Sequence, residues 1–149
     1  FFMKKRHKNV PASYLTLFDG DKVLLLRRFN TGYEDGNYSM IAGHVDPGET
    51  FAECIIREAK EEAGIKIDKD DLEMVHIMHR DSQTSENNER IDVFFVAKSW
   101  KEEIKNMETH KCDDLAWFAI DNLPDNTIAY IKTAIDNIKN KIYYSEFGW

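Results

Sequence analysis

Gly43–Ile65 reads GHVDPGETFAECIIREAKEEAGI, and the rest of the chain is best understood outward from it. Asp46-Pro47-Gly48 is turn chemistry. Thr50 followed three residues later by Glu53 is a capping box, so a helix should open at Phe51. Ala52, Ile55, Ile56, Ala59 and Ala63 recur at helical spacing as an apolar stripe. Gly64 suits a left-handed helix stop, with Ile65 packing back. The stretch therefore predicts a helix over Phe51–Ala63. Beside its apolar stripe, Glu58, Glu61 and Glu62 fall at i, i+3 and i+4 on one patch. A like-charged i,i+4 pair costs an isolated helix roughly 0.2–0.5 kcal/mol. Taken alone, such a cluster is usually a solvated face; a hard divalent cation held by the three carboxylates would offset the repulsion and give chemistry on phosphates.

Before this helix, Val10–Asp19 and Val23–Phe29 read as strands joined by Gly20-Asp21-Lys22, a hairpin signal. Residues 30–37 (NTGYEDGN) are loop formers, and Tyr38–Ile41 is a short strand. After it, Leu72–Arg80 and Arg90–Lys98 form a second strand pair. The polar loop between them (DSQTSENNE) has the length and composition of a mobile segment beside a substrate entrance. Trp117–Ile120 reads as a strand, and Thr127–Lys139 as an amphipathic helix through Ile128, Ile131, Ala134, Ile135 and Ile138. The order β-β-β-α-β-β-β-α predicts an α/β protein with a mixed β-sheet sandwiched between α-helices.

Composition narrows the function. The chain has 149 residues, 42% of them hydrophobic, enough for one domain with a substantial core. Met3 reads as the native start and Phe1 and Phe2 as an appended remnant, giving an expected single domain over residues 3–149. A net charge of −7 disfavours binding to DNA or RNA backbones, which need Lys and Arg. It leaves nucleotide binding open where a metal ion mediates. Two cysteines without a CxxC spacing support neither a disulfide framework nor a zinc site. No apolar run approaches membrane-span length and no signal peptide is visible, so a cytoplasmic location without membrane contact is expected.

The spacing of Gly43, Glu49, Arg57-Glu58-Ala59, Glu61-Glu62 and Gly64-Ile65 resembles the Nudix box at each of its defining positions. The resemblance implies the Nudix fold. It also implies a Mg²⁺-dependent pyrophosphohydrolase, with Mn²⁺ as a substitute, that cleaves a nucleoside diphosphate linked to another moiety. Small members suggest a nucleoside triphosphate, oxidised or noncanonical in a sanitation role, split to monophosphate and pyrophosphate. Glu58, Glu61 and Glu62 would be metal ligands, joined by the backbone carbonyl of Ala42, where many relatives have glycine. Glu108 is the choice for a further acidic ligand outside the box, with Asp113 and Asp114 as rivals. Glu58 is the favoured general base; Glu61 and the outer acids stay open. Gly43, Glu49, Arg57 and Gly64 take structural roles, Glu49 and Arg57 as an ion pair tying loop to helix.

Further residues carry two readings each. By strand alternation Arg28 faces away from Arg27 and could reach a substrate phosphate, or be an exposed strand-end charge. Trp117 is a core or pocket-wall residue, or binds substrate by stacking on a base. Asn126 could read a nucleobase edge, or cap the last helix. His44 lies in the variable part of the box loop and is assigned no catalysis; His76, His79 and His110 lack a ligand spacing, and Cys54 reads as packing. Relatives acting on ADP-ribose often carry a proline downstream of the box where Arg80 and Asp81 stand, and a NADH-type signature is absent. Two alternatives to the hydrolase remain: a Nudix-fold nucleotide sensor without turnover, and an RNA 5′-end pyrophosphohydrolase using a basic patch at Lys4-Lys5-Arg6. Monomer and homodimer are both open. The aromatic tail Ile142–Trp149 should dock on its own domain or on a partner subunit, the former preferred.

Overall fold

A computed structural model describes residues 4–82 and 88–149. Phe1, Phe2 and Met3, and the central part of the polar 81–89 loop, lie outside the described residues, as do the expectations attached to them. The chain runs through β1 (Val10–Thr16), β2 (Phe18–Asp19), β3 (Lys22–Arg28), β4 (Tyr38–Ser39) and β5 (Ile41–His44) into α1 (Phe51–Ala63). It continues through β6 (Leu72–Asp81), β7 (Glu89–Ala97), β8 (Cys112–Ala119), α2 (Ala129–Lys139) and β9 (Tyr144–Phe147).

One sheet has the order β5-β1-β7-β6-β9, with β1 parallel to β7 and antiparallel to β5. A second joins β2, β3 and β4, with β8 pairing β3. Strand β3 shows why helices cover both faces. Val23 and Leu25 pack with Ile131, Ala134 and Ile135 of α2, whereas Leu24 and Leu26 pack with Ile55, Ala59 and Ala63 of α1. A strand apolar on both faces needs cover on both, so the mixed α/β layering follows from the near-continuous run VLLL.

Helix α1 has the boundaries and caps its sequence predicts. Thr50 accepts from Glu53 N–H, Glu53 reaches back to Thr50 N–H, and Gly64 adopts φ 70° with its N–H on Lys60 O. Two expectations are corrected, and the preferred docking of the tail is found. β8 begins at Cys112 rather than Trp117, because Leu115 and Asp114 already pair with Leu26 and Arg27. Helix α2 begins at Ala129, not Thr127, whose hydroxyl instead donates to Pro124 O at 2.7 Å and closes a turn. The tail forms β9, parallel to β6 and on its own domain. Among the described residues no helix is long and apolar enough to cross a membrane.

Candidate active site

Glu58, Glu61 and Glu62 sit on the second half of α1, and Glu108 approaches from the segment leading into β8. All four line one cleft of about 420 Å³, together with Arg28 and Lys111. Of the rival outer acids, Asp113 binds Arg27 at 2.7 Å and Asp114 accepts from the Tyr38 hydroxyl, so neither faces this cleft. Arg28 lies on the same side of β3 as Leu26, and Arg27 on the other. The Arg28 guanidinium donates to Tyr33 O at 2.6 Å and Thr31 Oγ1 at 3.1 Å, which pins the 30–37 loop to the cleft rim.

The strand before α1 is fitted to the acidic helix face. Ala42 N–H donates to Glu62 Oε2 at 3.2 Å, off the open edge of β5. In an extended strand the N–H and C=O of one residue point to the same side, so the Ala42 carbonyl is directed toward the carboxylates too. Gly43 leaves space that the Glu58 side chain occupies: a Cβ there would lie 2.2 Å from Glu58 Oε1 unless that side chain moved. Cys54, buried beneath, directs its thiol at the Gly43 and His44 carbonyls, each 3.5 Å away.

Arg57 organises the carboxylates. Its Nε and Nη2 grip Glu49 at 2.7 and 3.0 Å, and Nη1 lies 2.7 Å from Glu58 Oε1 and 3.3 Å from Glu61 Oε2. The guanidinium and an Asp46 N–H hold the Glu49 carboxyl down at about 2, against an ordinary 4.5. Burial acts oppositely on the cleft acids. It raises Glu58, and raises Glu62 well above the usual carboxylate range, with the neighbouring Glu58 and Glu108 charges adding to it.

Whether these residues fit a metal ion turns on donor chemistry. An all-carboxylate set, two of its members half-buried or more, calls for a proton or a hard cation as counter-charge. Among the described residues, however, no three acidic, His or Cys side chains converge on a ready-made metal site. The Arg57 hydrogen bonds explain why: they draw Glu58 and Glu61 toward the guanidinium. The chemistry of the donor set suits a hard divalent cation, and Glu58, Glu61, Glu62 and Glu108, which line one cleft, are the residues that would hold one.

Two sequence candidates stand elsewhere. Trp117 pairs with Leu24 and packs against the cluster under α1 instead of lining the acidic cleft. Asn126 does not cap α2, whose first turn follows Ile128; its Nδ2 donates to Gly36 O at 2.7 Å. Sequence reasoning missed a basic, aromatic cavity of about 310 Å³ that shares Arg28 with the acidic cleft. Arg80, Arg90, His44, Tyr14 and Tyr130 line it. Buried Arg80 donates to Asp92 Oδ2 at 2.7 Å and lies 3.8 Å above the Tyr130 ring, while Tyr14 and Tyr130 share a hydrogen bond of 3.1 Å. No spacing announces this network, because its members come from four separate elements; a charged Arg80 within the apolar pattern of β6 was the one available signal.

Comparison with known proteins agrees with this geometry. A family model described as a NUDIX domain matches residues 7–137. Among curated proteins, the chain is 32% identical over 114 residues to the NAD-capped RNA hydrolase NudC of Chromobacterium violaceum, covering 76% of this chain and 39% of that protein. It is 34% identical over 116 residues to NudC of Pseudomonas entomophila, covering 76% and 38%. The chain thus spans about two fifths of the length of these relatives. A MutT NUDIX hydrolase from Burkholderia pseudomallei superposes with a TM-score of 0.78 at 20% identity, covering 87% of this chain and 98% of that one. A UDP-X diphosphatase superposes at 0.68 and 16% identity, covering 97% and 70%. At these identities the structural likeness shows the fold alone.

Proposed function

The chain belongs to the Nudix family, and from that premise we propose that it is a Mg²⁺-dependent pyrophosphohydrolase, with Mn²⁺ able to substitute. Its substrate is a nucleoside diphosphate joined to another moiety, in the first instance a nucleoside triphosphate cleaved to monophosphate and pyrophosphate. The observation that carries the reading is the shared cleft, lined by Glu58, Glu61, Glu62 and Glu108 together with Arg28 and Lys111. Bare carboxylates would repel a diphosphate; a hard divalent cation held by Glu58, Glu61, Glu62 and Glu108 would reverse the local field, polarise a phosphoryl oxygen and lower the pKa of water there.

The chain's own groups divide the remaining work. Arg28 and Lys111, which line the same cleft, supply positive charge for phosphate oxygens. Glu58 or Glu61 accepts the proton of the attacking water. Arg57, anchored on Glu49, puts a positive charge against Glu58 and Glu61 and offsets their mutual repulsion. A role in removing oxidised or noncanonical nucleotides from the cytoplasm fits such an activity.

The test is a nucleotide panel incubated with purified protein and Mg²⁺, with products identified. Release of pyrophosphate and a monophosphate is expected. Glu61→Gln should lower turnover at least about 100-fold while leaving thermal stability unchanged, since Glu61 is half exposed. Absence of product from every member refutes the proposal, and saturable binding without product favours a sensor. A second reading, hydrolysis at nucleotide-capped RNA 5′ ends, is favoured by the activity in the relatives' names and by the exposed basic run Lys4, Lys5, Arg6 and Lys8. Including a capped oligoribonucleotide in the panel separates the two.

A further inference from the structure

The C-terminal strand is fixed far more elaborately than closure of a sheet edge requires. β9 pairs in parallel with β6 and sets Phe147 opposite Arg80. The Phe147 ring meets Tyr130 edge-on at 6.3 Å, and Tyr130 carries the Arg80 guanidinium. Phe147, Arg80 and Tyr130 line a cavity of about 370 Å³ with Tyr33, Asp125 and Asn126. Tyr33, Arg80 and Tyr130 also belong to the basic cavity, which in turn shares Arg28 with the acidic cleft. The three cavities therefore adjoin through common walls, and Phe147 stands at the end remote from the carboxylates.

Both ends of the strand are tied down. His76, fully buried, engages the tail with both ring nitrogens, Nδ1 with Ile142 O and Nε2 with Ser145 Oγ, each at 2.7 Å. Trp149 Nε1 donates to His79 O at 2.9 Å. Gly148, at φ +84°, presses so close to Asp81 that an added Cβ would lie 2.1 Å from its carbonyl oxygen. This strand lies beyond residues 7–137, the segment matched by the family model.

We propose that β9 is a specificity wall of the substrate trough. Phe147 packs against the planar ring of the substrate group farthest from the acidic cluster, a nucleobase or an equivalent aromatic heterocycle. Tyr33, Tyr130 and Phe147 offer ring faces and edges there, and Asn126 and Asp125 offer polar atoms for a heterocycle's edge. The identity of the substrate rests on the hydrolase reading; the binding role of Phe147 does not.

Calorimetric titration of AMP, GMP, CMP and UMP in EDTA tests the wall without turnover. The native chain should prefer at least one nucleotide. Phe147→Ala should weaken that one by about tenfold, the scale of one lost ring–base contact, and flatten the preference. Gly148→Ala, which displaces the strand end but keeps the ring, should flatten it too. Thermal unfolding checks that each variant folds, and Phe147→Tyr should restore discrimination. A uniform loss for all four nucleotides, an unchanged preference, or no binding by the native chain overturns the proposal. Selective binding lost in Phe147→Ala but without hydrolysis of any nucleotide by the native chain sinks the enzyme reading and leaves the wall. Hydrolysis with unaltered preferences in Phe147→Ala does the reverse.

Discussion

An alanine at Gly43 would bring its Cβ to 2.2 Å from Glu58 Oε1, 2.4 Å from Cδ and 2.7 Å from Cγ. Ordinary contact begins at 3.4 Å, so the carboxylate oxygen must retreat by 3.4 − 2.2 = 1.2 Å. Gly43 is not among the glycines with positive φ, so alanine can adopt its backbone without strain. The displacement therefore falls on the Glu58 side chain, which is 13% exposed and held by Arg57 Nη1 at 2.7 Å. A misplacement of about 1 Å in a reacting constellation costs roughly 100-fold, or about 2.7 kcal/mol of barrier at 1.36 kcal/mol per decade. Stability should fall by only about 1 kcal/mol, the low end for overpacking, because a side-chain tip yields before backbone does. The assay is kcat/KM with Mg²⁺ on the best nucleotide of the panel, beside thermal unfolding in EDTA. Adding Glu58→Ala to Gly43→Ala should return the stability and none of the activity. Gly43→Ala with kcat/KM within about threefold of the native value, well short of the 100-fold scale, would refute the reasoning.

Two other perturbations read separate parts of the molecule. Glu49 titrates near 2 when folded against an ordinary 4.5, so its pair with Arg57 contributes stability above pH 4.5 that is lost as pH falls toward 2. The native chain should exceed Glu49→Gln in melting temperature at neutral pH and converge with it across that acid window; a gap that persists at pH 2 contradicts the assignment. Arg80→Met leaves Asp92 buried without its partner, their side chains being 7% and 0% exposed, and should cost about 3–5 kcal/mol in urea unfolding. Arg80→Met with Asp92→Asn should recover most of that loss, and an Arg80→Met midpoint equal to the native one would show that the pair is not what the burial implies.

Helix α1 was legible residue by residue because its determinants are close in the chain. Thr50 and Glu53 cap it three residues apart, and Gly64 ends it with a φ open to glycine. The Glu58-Glu61-Glu62 patch likewise needs only the pitch of one helix. Strand β3 was legible because VLLL is apolar on both faces. The failures share a cause as well. Asn126 looked like an N-cap because Asn before an amphipathic run usually is one; here its amide crosses 90 residues to Gly36 O. β8 looked short because Cys112–Ala116 carries two aspartates, and only Arg27 and Tyr38 on neighbouring strands make them welcome there.

The amino-acid order thus determined the family, the acidic helix and its caps, since i,i+3 and i,i+4 relations are set by backbone geometry whatever surrounds them. Tertiary structure alone decided that Glu108 and Lys111 share the cleft while Asp113 and Asp114 turn away, that Arg57 gathers three glutamates, and that the tail becomes β9. Those outcomes depend on which strands pair and at what register. A shift of one residue exchanges the two faces of a strand, and nothing within a few residues of Phe147 or Arg80 records where the other will lie.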